Sequence, residues 1–535
     1  MVLKPLDFLL AFLLLAGSLL AGNSLLLPDV CGVSHDDAIY AITAKSLAQG
    51  EGYKLINLPG SPIQTKYPIL YPAMLSLVWK LCPNFPANLL SMKWLTLTTG
   101  ALAISLSYLY LVRFQYAIRT MAFCGALLCV CSSWFWYCAT LTQTEAPFAL
   151  LVILSLWCLE KPVRQEKNST RNDILAGIVL SLPLMCRLPG ISILLAAGWL
   201  LFRQKRRLIM TMLGAALAVS PWVFSLAMSF GAFKNNPVHG YYTDYLGWWS
   251  QSGYFLMVIF FSNLFVILLQ STSLVFSGLH HLFITVLDKW YLIAGTLVGF
   301  IPWWYLGLSS WKAKSPKPLP IFMAVYVLML CVCPWPPGRY LVPLLPLLAA
   351  LMMSGLYTLI DKSLRDKAIW LCLFIAIAAF VFNFADIQEK SALDKQLGYP
   401  SIPFDRQQTA KWSSYGDLFN WLRQNASQDS IIGSQFDTMV YLYTGRKCIR
   451  PYPIKAVSLY YGGTEPPIGT AEELVSNLNQ LQVDYLVSMP IPGFVEEQPF
   501  FALVTQIRKD QPNFLKPVYV GIDSRFAIYQ CNRTN

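Results

Sequence analysis

His35–Pro72 reads HDDAIYAITAKSLAQGEGYKLINLPGSPIQTKYPILYP, a polar loop set between strongly apolar segments. Asp36 and Asp37 open a helical pattern that runs through Ala38–Leu47, a Gly-containing turn follows, and Lys66 precedes the Tyr67-Pro68 and Tyr71-Pro72 corners. Charged groups at the edge of an apolar segment cost free energy unless they are paired or serve a function. The rest of the chain decides between these readings.

Of the 535 residues, 56% are hydrophobic and 13% are charged, with 17 Trp, 27 Tyr and 31 Phe; a soluble domain carries about 25% charged residues. The expectation is a polytopic α-helical membrane protein with about eleven transmembrane helices, each needing roughly 20 apolar residues, followed by a C-terminal soluble α/β domain. The formal charge is +12, and residues 386–535 are nearly balanced, with 14 Lys/Arg against 15 Asp/Glu. The basic excess therefore belongs to the membrane part, where it orients loops, and nucleic acid is excluded as a partner. Most of the 13 cysteines lie in or beside apolar runs without histidines at zinc spacing. They read as packing residues, and no metal site is visible; a divalent ion is left undecided. In an oxidising compartment Cys448 and Cys531 could pair, which the sequence leaves open.

The first apolar segment, Leu6–Leu27, follows Lys4 and is too long for a signal peptide, so it is expected to span. Basic clusters at Arg113/Arg119, Lys161–Arg171, Arg203–Arg207, Lys312–Lys317 and Lys362–Lys367 fall in alternate loops. The positive-inside rule places those loops in the cytoplasm. Residues 29–87, 139–144, 231–250, 334–339 and 386–535 then lie on the opposite face. Within 251–311 one crossing near 289–311 is expected, with 251–287 largely in the interface because Gln270–Ser273, His280 and His281 break its apolar run; three crossings are the alternative. The expected domains are 1–385, including the outer loop 29–87, and 386–535. In the second, strands are expected at Ser430–Ser434, Val483–Ser488, Pro517–Ile522 and Arg525–Gln530, and helices at Asp405–Gln424, Asp437–Tyr443, Ala471–Leu481 and Phe500–Lys509. No catalytic constellation is visible there.

Sorting polar residues by side gathers Asp36, Asp37, Lys66, Tyr67, Tyr71, Glu145, Arg187, His239, Tyr241, Tyr242, Asp244, Arg339 and Tyr340 on the outer face. A carboxylate there can take a proton from an acceptor hydroxyl while Lys and Arg stabilise charge on a departing phosphate. Each residue also has a structural reading. Ser34, Asp36 or Asp37 can cap a helix, Lys66 can snorkel, and Glu145 can serve the N-terminus of its helix. Arg187 lies inside an apolar stretch where a lone guanidinium is expensive, and Arg339 follows a Pro-Pro-Gly turn at a helix start, the wrong end of the dipole for a cation. Both call for anionic partners.

DDAIYAITAKSLAQGEGY, KYPILYP, TEAPFALL, CRLPG and GRYLVPLLP, followed by a soluble domain with LFNWLRQN and YLYTGRK, together resemble the GT-C superfamily of polyprenyl-phosphate-sugar-dependent glycosyltransferases. The sequence is most similar to the bacterial branch with the protein O-mannosyltransferase-like and aminoarabinose-transferase-like enzymes. KYPILYP departs from the Lys-Pro-Pro run of that family. The resemblance implies inverting transfer of a sugar from a polyprenyl-phosphate donor to a glycan, lipid or protein acceptor, at the extracytoplasmic face of a bacterial inner membrane. It implies Asp36 as base with Asp37 as alternate, Glu145 as the second acid, and Lys66 and Arg339 on the phosphate. Tyr67, Tyr71, Arg187 and Tyr340 are grouped with them as substrate-binding residues. The rival from another class is a transporter or flippase of a lipid-linked saccharide, in which the acids would relay protons or bind cargo.

Overall fold

The computed structural model describes residues 2–160, 169–229, 238, 242, 256–280, 289–313, 316–360, 364–403, 405, 408–490 and 495–532. His239, Tyr241, Asp244, His281 and the basic residues Lys161, Arg164, Lys167, Lys314 and Lys362 lie outside the described residues. The chain divides into two compact units. One comprises Met1–Leu26, Lys93–Phe224 and Ile259–Ala392, and the other comprises Leu27–Met92, Ser225–Val258 and Leu393–Asn535. The outer loop 29–87, grouped by sequence with the spans, is thus compact with the C-terminal region.

The first unit is helical, as an apolar environment requires, because a helix satisfies its own backbone groups. Among the described residues seven helices are long and apolar enough to cross a membrane: Pro5–Asn23, Leu89–Arg113, Lys205–Ser229, Leu256–Val275, Trp290–Trp311, Gly338–Leu359 and Lys367–Leu397. The bent pair Arg119–Val130 and Ser133–Thr140 makes an eighth if it counts as one span. The chain is an integral membrane protein. The shortfall against about eleven has a geometric origin, since helices such as Glu145–Glu160 and Pro318–Cys331 reach only about 24 and 21 Å at 1.5 Å per residue, short of the roughly 30 Å hydrocarbon core.

The pair Arg119–Val130 and Ser133–Thr140 bends by 58°, where Ser132 accepts from the Phe135 N–H and Trp136 Nε1 donates to the Val130 carbonyl. Two sequence expectations change. Leu256–Val275 is one uninterrupted apolar helix, not broken at Gln270–Ser273. Its polar residues do not break it because Ser271 donates to Ile267 O and Thr272 to Gly295 O. The last apolar run does not stop near 385; its helix continues as Arg365–Leu397. Hydropathy marks where apolar side chains end, whereas Asp386–Leu397 keeps good helix formers.

Close packing in this unit depends on small residues. A Cβ on Gly125 would stand 2.3 Å from Ala350 N and Cα, on the backbone of the helix Leu345–Leu359. Gly125→Ala is expected to cost about 1–3 kcal/mol, the usual penalty of overpacking. A lowered thermal midpoint in detergent checks it.

The second unit contains a five-stranded sheet of β1 Ile432–Ser434, β2 Cys448–Ile449, β3 Tyr485–Ser488, β4 Leu515–Val520 and β5 Ala527–Cys531, in the order β2-β1-β3-β5-β4. β1 pairs in parallel with β2 and β3, and β5 is antiparallel to both β3 and β4. Four strands and the helices Asp437–Thr444, Ala471–Gln480 and Glu497–Asp510 fall where alternation and helical periodicity place them. The helix expected over Asp405–Gln424 begins only at Trp412. Val30 and Val33 of the outer loop are buried in the same core as Tyr415, Leu418, Phe419, Ile432 and Ile528. Cys448 and Cys531 are free thiols. Two strands separate theirs in the sheet, which puts them about 14 Å apart at 4.7–4.9 Å per strand, beyond the roughly 7 Å that a disulfide tolerates.

Candidate active site

The turn before the helix Asp36–Ala48 separates the roles of the two adjacent carboxylates. Asp37 is fully buried and turned back onto the chain: its Oδ2 accepts from the Gly32 N–H at 2.7 Å, and its Oδ1 accepts from the Ser34 hydroxyl at 3.0 Å and the Ser34 N–H at 3.3 Å. This carboxylate fastens the turn. Asp36 is only half-buried, and its Oδ1 accepts from the Tyr67 hydroxyl at 2.7 Å. Of the pair, Asp36 is the more exposed.

Lys66 is buried, its backbone held by the Gln64 side chain at 2.7 Å and its ammonium 5.3 Å from the Tyr67 ring centre. Burial pushes its pKa down to about 8, against the opposing pull of Asp36 and Asp437, while Arg450 lowers it further. A bilayer-facing lysine would snorkel toward water; this one is enclosed. Tyr71 is fully buried with its ring edge-on to Tyr40, which also packs edge-on to Tyr67. It thus supports Tyr67.

The C-terminal region contributes residues with no site-like signature in sequence. Asp437 is fully buried and accepts from His35 Nε2 at 2.8 Å, Asn57 Nδ2 at 2.8 Å and the Tyr242 hydroxyl at 3.1 Å. Arg450 is also buried; it pairs with Glu496 at 3.3 Å, and its backbone N–H donates to the Tyr242 hydroxyl at 2.8 Å. Asp437 stands 402 residues from His35 in an ordinary amphipathic helix, so spacing could not have joined them.

In the first unit a second cluster forms at helix ends. Glu145 begins the helix Glu145–Glu160, Arg187 follows the last turn of Thr170–Cys186, and Arg339 lies in the turn Gly338–Leu341. Glu145 Oε1 receives both guanidiniums, Arg187 Nη1 at 2.5 Å and Arg339 Nε. Both arginines thus have the anionic partner that their positions required. Arg187 stacks over the Tyr340 ring at 4.5 Å, and Tyr326 holds the Tyr340 carbonyl at 2.7 Å. One carboxylate between two cations leaves a net positive charge, and paired guanidiniums suit phosphate oxygens. Glu145, with one oxygen shared by two cations, is better placed to orient them than to take a proton. His280 Nδ1 lies 2.8 Å from the Tyr291 hydroxyl, a packing role. Among the described residues no group of three or more His, Cys, Asp or Glu side chains could hold a metal ion.

No protein-family model matches this sequence, and none of the curated proteins matches it. Solved structures do match. ArnT from Cupriavidus metallidurans bound to undecaprenyl phosphate is 13% identical and superposes with a TM-score of 0.54 over 98% of this chain and 97% of its own. The chain has the GT-C fold. The archaeal oligosaccharyltransferase AglB from Archaeoglobus fulgidus, in complex with an inhibitory peptide and a dolichol-phosphate, is 14% identical with a TM-score of 0.55, over 98% of this chain and 74% of its own. At these identities the GT-C likeness is one of fold, and residue roles rest on the geometry above.

Proposed function

We propose that this GT-C protein transfers a sugar from a polyprenyl-phosphate carrier to an acceptor on the extracytoplasmic face of a bacterial inner membrane. Asp36 removes the proton from the attacking acceptor hydroxyl as the sugar inverts, and the lipid phosphate departs. Lys66 neutralises charge developing on that phosphate, and the same role is assigned to Arg339, oriented with Arg187 by Glu145. The observation that carries the reading is the division of labour in the acidic pair: Asp37 is bonded to its own turn, whereas Asp36 is half-buried with Tyr67. The undecaprenyl- and dolichol-phosphate complexes of the two structural neighbours support the choice of carrier. The acceptor is a glycan, lipid or protein, and about eleven crossings remain the proposed topology, with two-thirds-length helices completing spans as broken or tilted segments.

The test is purified full-length protein in proteoliposomes with a radiolabelled sugar on undecaprenyl phosphate and an envelope extract as acceptor source. Labelled acceptor with release of undecaprenyl phosphate is expected. Movement of intact donor across the bilayer without release would establish the flippase instead.

Lys66 adds a pH signature. Its ammonium is the form that meets a phosphate, and its folded pKa of about 8 lies below the ordinary lysine value of 10.5. Donor affinity is expected to be level below pH 8 and to fall about tenfold per unit above it, since a phosphodiester does not titrate there. Lys66→Arg should flatten that decline. The linkage to stability has the opposite sign: between about pH 8 and 10.5 the unfolded chain holds a proton that the folded chain lacks, so this group adds stability as pH rises through that window. Donor titrations and thermal midpoints over the same pH range separate the two effects.

A further inference from the structure

The carboxylate proposed as base follows directly on an unusual backbone. His35 has φ 64° and ψ −54°, and the Asp36 N–H donates to the Ser34 carbonyl at 2.8 Å, closing a three-residue turn around it. That is the γ-turn of the rare, strained hand, which persists only when its surroundings enforce it. A histidine has no intrinsic reason to remain there.

The enforcing contacts come from the helix Asp437–Thr444. Asp437 takes the His35 ring at 2.8 Å, and the Thr438 hydroxyl donates to the His35 carbonyl at 3.4 Å. A Cβ on Gly32 would lie 2.6 Å from Met439 Cβ, so the turn is pressed against this helix. Tyr443 closes the other end, donating to Asp29 O at 2.6 Å and accepting from the Cys31 N–H at 2.9 Å. Residues 29–35 are therefore gripped along the helix from its first turn to its last. Asp437 also fixes Asn57 and Tyr242, so one buried carboxylate joins the base-bearing turn, the hairpin that leads to Lys66, and the Tyr242 segment.

We propose that Asp437 is a positioning residue for the transfer reaction: through His35 it holds the strained turn that aims Asp36, which makes the helix Asp437–Thr444 of the C-terminal region part of the catalytic apparatus. The proposal rests on the glycosyl-transfer reading above. Asp437 need not touch substrate. Its effect falls on the orientation of Asp36, so the turnover rate should suffer more than donor binding.

The test is a double-mutant cycle in the full-length protein, with kcat and donor affinity measured per folded molecule and thermal midpoints alongside. Asp437→Asn keeps the shape but cannot serve all three donors as a carboxylate does, and it should lower kcat about 10²-fold, the scale of a misplaced reacting group. Donor affinity should stay within about threefold, the size of a weak contact. His35→Gly supplies the second arm, because glycine takes positive φ without penalty. In the His35→Gly background, Asp437→Asn should cost much less than it does alone, since its target is gone. Full additivity of the two losses would overturn the proposal, as would an Asp437→Asn protein of native kcat. If Asp437→Asn fails to fold, His35→Ala is read alone, because alanine keeps the positive-φ penalty but offers Asp437 no ring: a native kcat in it would overturn the proposal, and a kcat loss with donor binding retained supports it. Absence of transfer by the native protein would overturn the functional reading itself, a result distinct from native activity that survives Asp437→Asn.

Discussion

Asp36→Asn is expected to reduce glycosyl transfer by about 10²–10⁴-fold, the range that a positioned general base supplies, with donor affinity and thermal midpoint close to native. The asparagine can still accept the Tyr67 hydrogen bond that Asp36 accepts at 2.7 Å, but it cannot take a proton from an acceptor hydroxyl. Asp37→Asn should behave in the opposite way. Its carboxylate accepts from Gly32 and Ser34 in a fully buried turn, and an amide would place donors against those donors. The expected result is a loss of stability of about 1–3 kcal/mol, the cost of leaving buried polar groups unsatisfied, with residual activity following the folded fraction. Release of undecaprenyl phosphate, measured per folded molecule for both variants, separates base from fastener. Native release rates in Asp36→Asn would remove Asp36 from the chemistry.

That contrast marks the limit of what spacing could decide. In sequence Asp36 and Asp37 are equivalent members of an acidic pair before a helical pattern, and either could cap it. The difference comes from a three-residue turn at His35, whose positive φ no residue preference announces. The membrane class, most spans and four of the five strands were legible because apolar runs and alternation are local signals. Cys448–Ile449 was not, since a two-residue strand carries no period; it is defined by pairing with β1 and by the Asn57 carbonyl that receives the Cys448 N–H at 2.8 Å. Near 386 the composition changes but the helix does not, since it runs on to Leu397. The need of Arg187 and Arg339 for an anion could be argued from their positions. That the anion is one shared carboxylate is a tertiary fact, as is the meeting of Asp437 with His35.

Glu145→Ala should be the most damaging change in the membrane part. The carboxylate is fully buried and takes both the buried Arg187 and the half-buried Arg339, so its removal strips the two guanidiniums of the anion they share. Breaking a buried ion pair by deleting one partner costs about 3–5 kcal/mol, enough to remove most of the folded fraction of a marginal domain. Glu145→Gln keeps the volume and one acceptor oxygen and should be destabilised less, yet it no longer holds both forks in one orientation. If the cluster serves the lipid phosphate, undecaprenyl phosphate supplied in excess restores negative charge to the two arginines. It should therefore raise the thermal midpoint of Glu145→Gln by more than it raises that of the native protein. Arg339→Gln removes one of the two cations and with it the excess positive charge, so its midpoint should respond least to the lipid. Equal shifts in all three proteins would show that Glu145, Arg187 and Arg339 are a purely structural brace, with no part in holding the carrier.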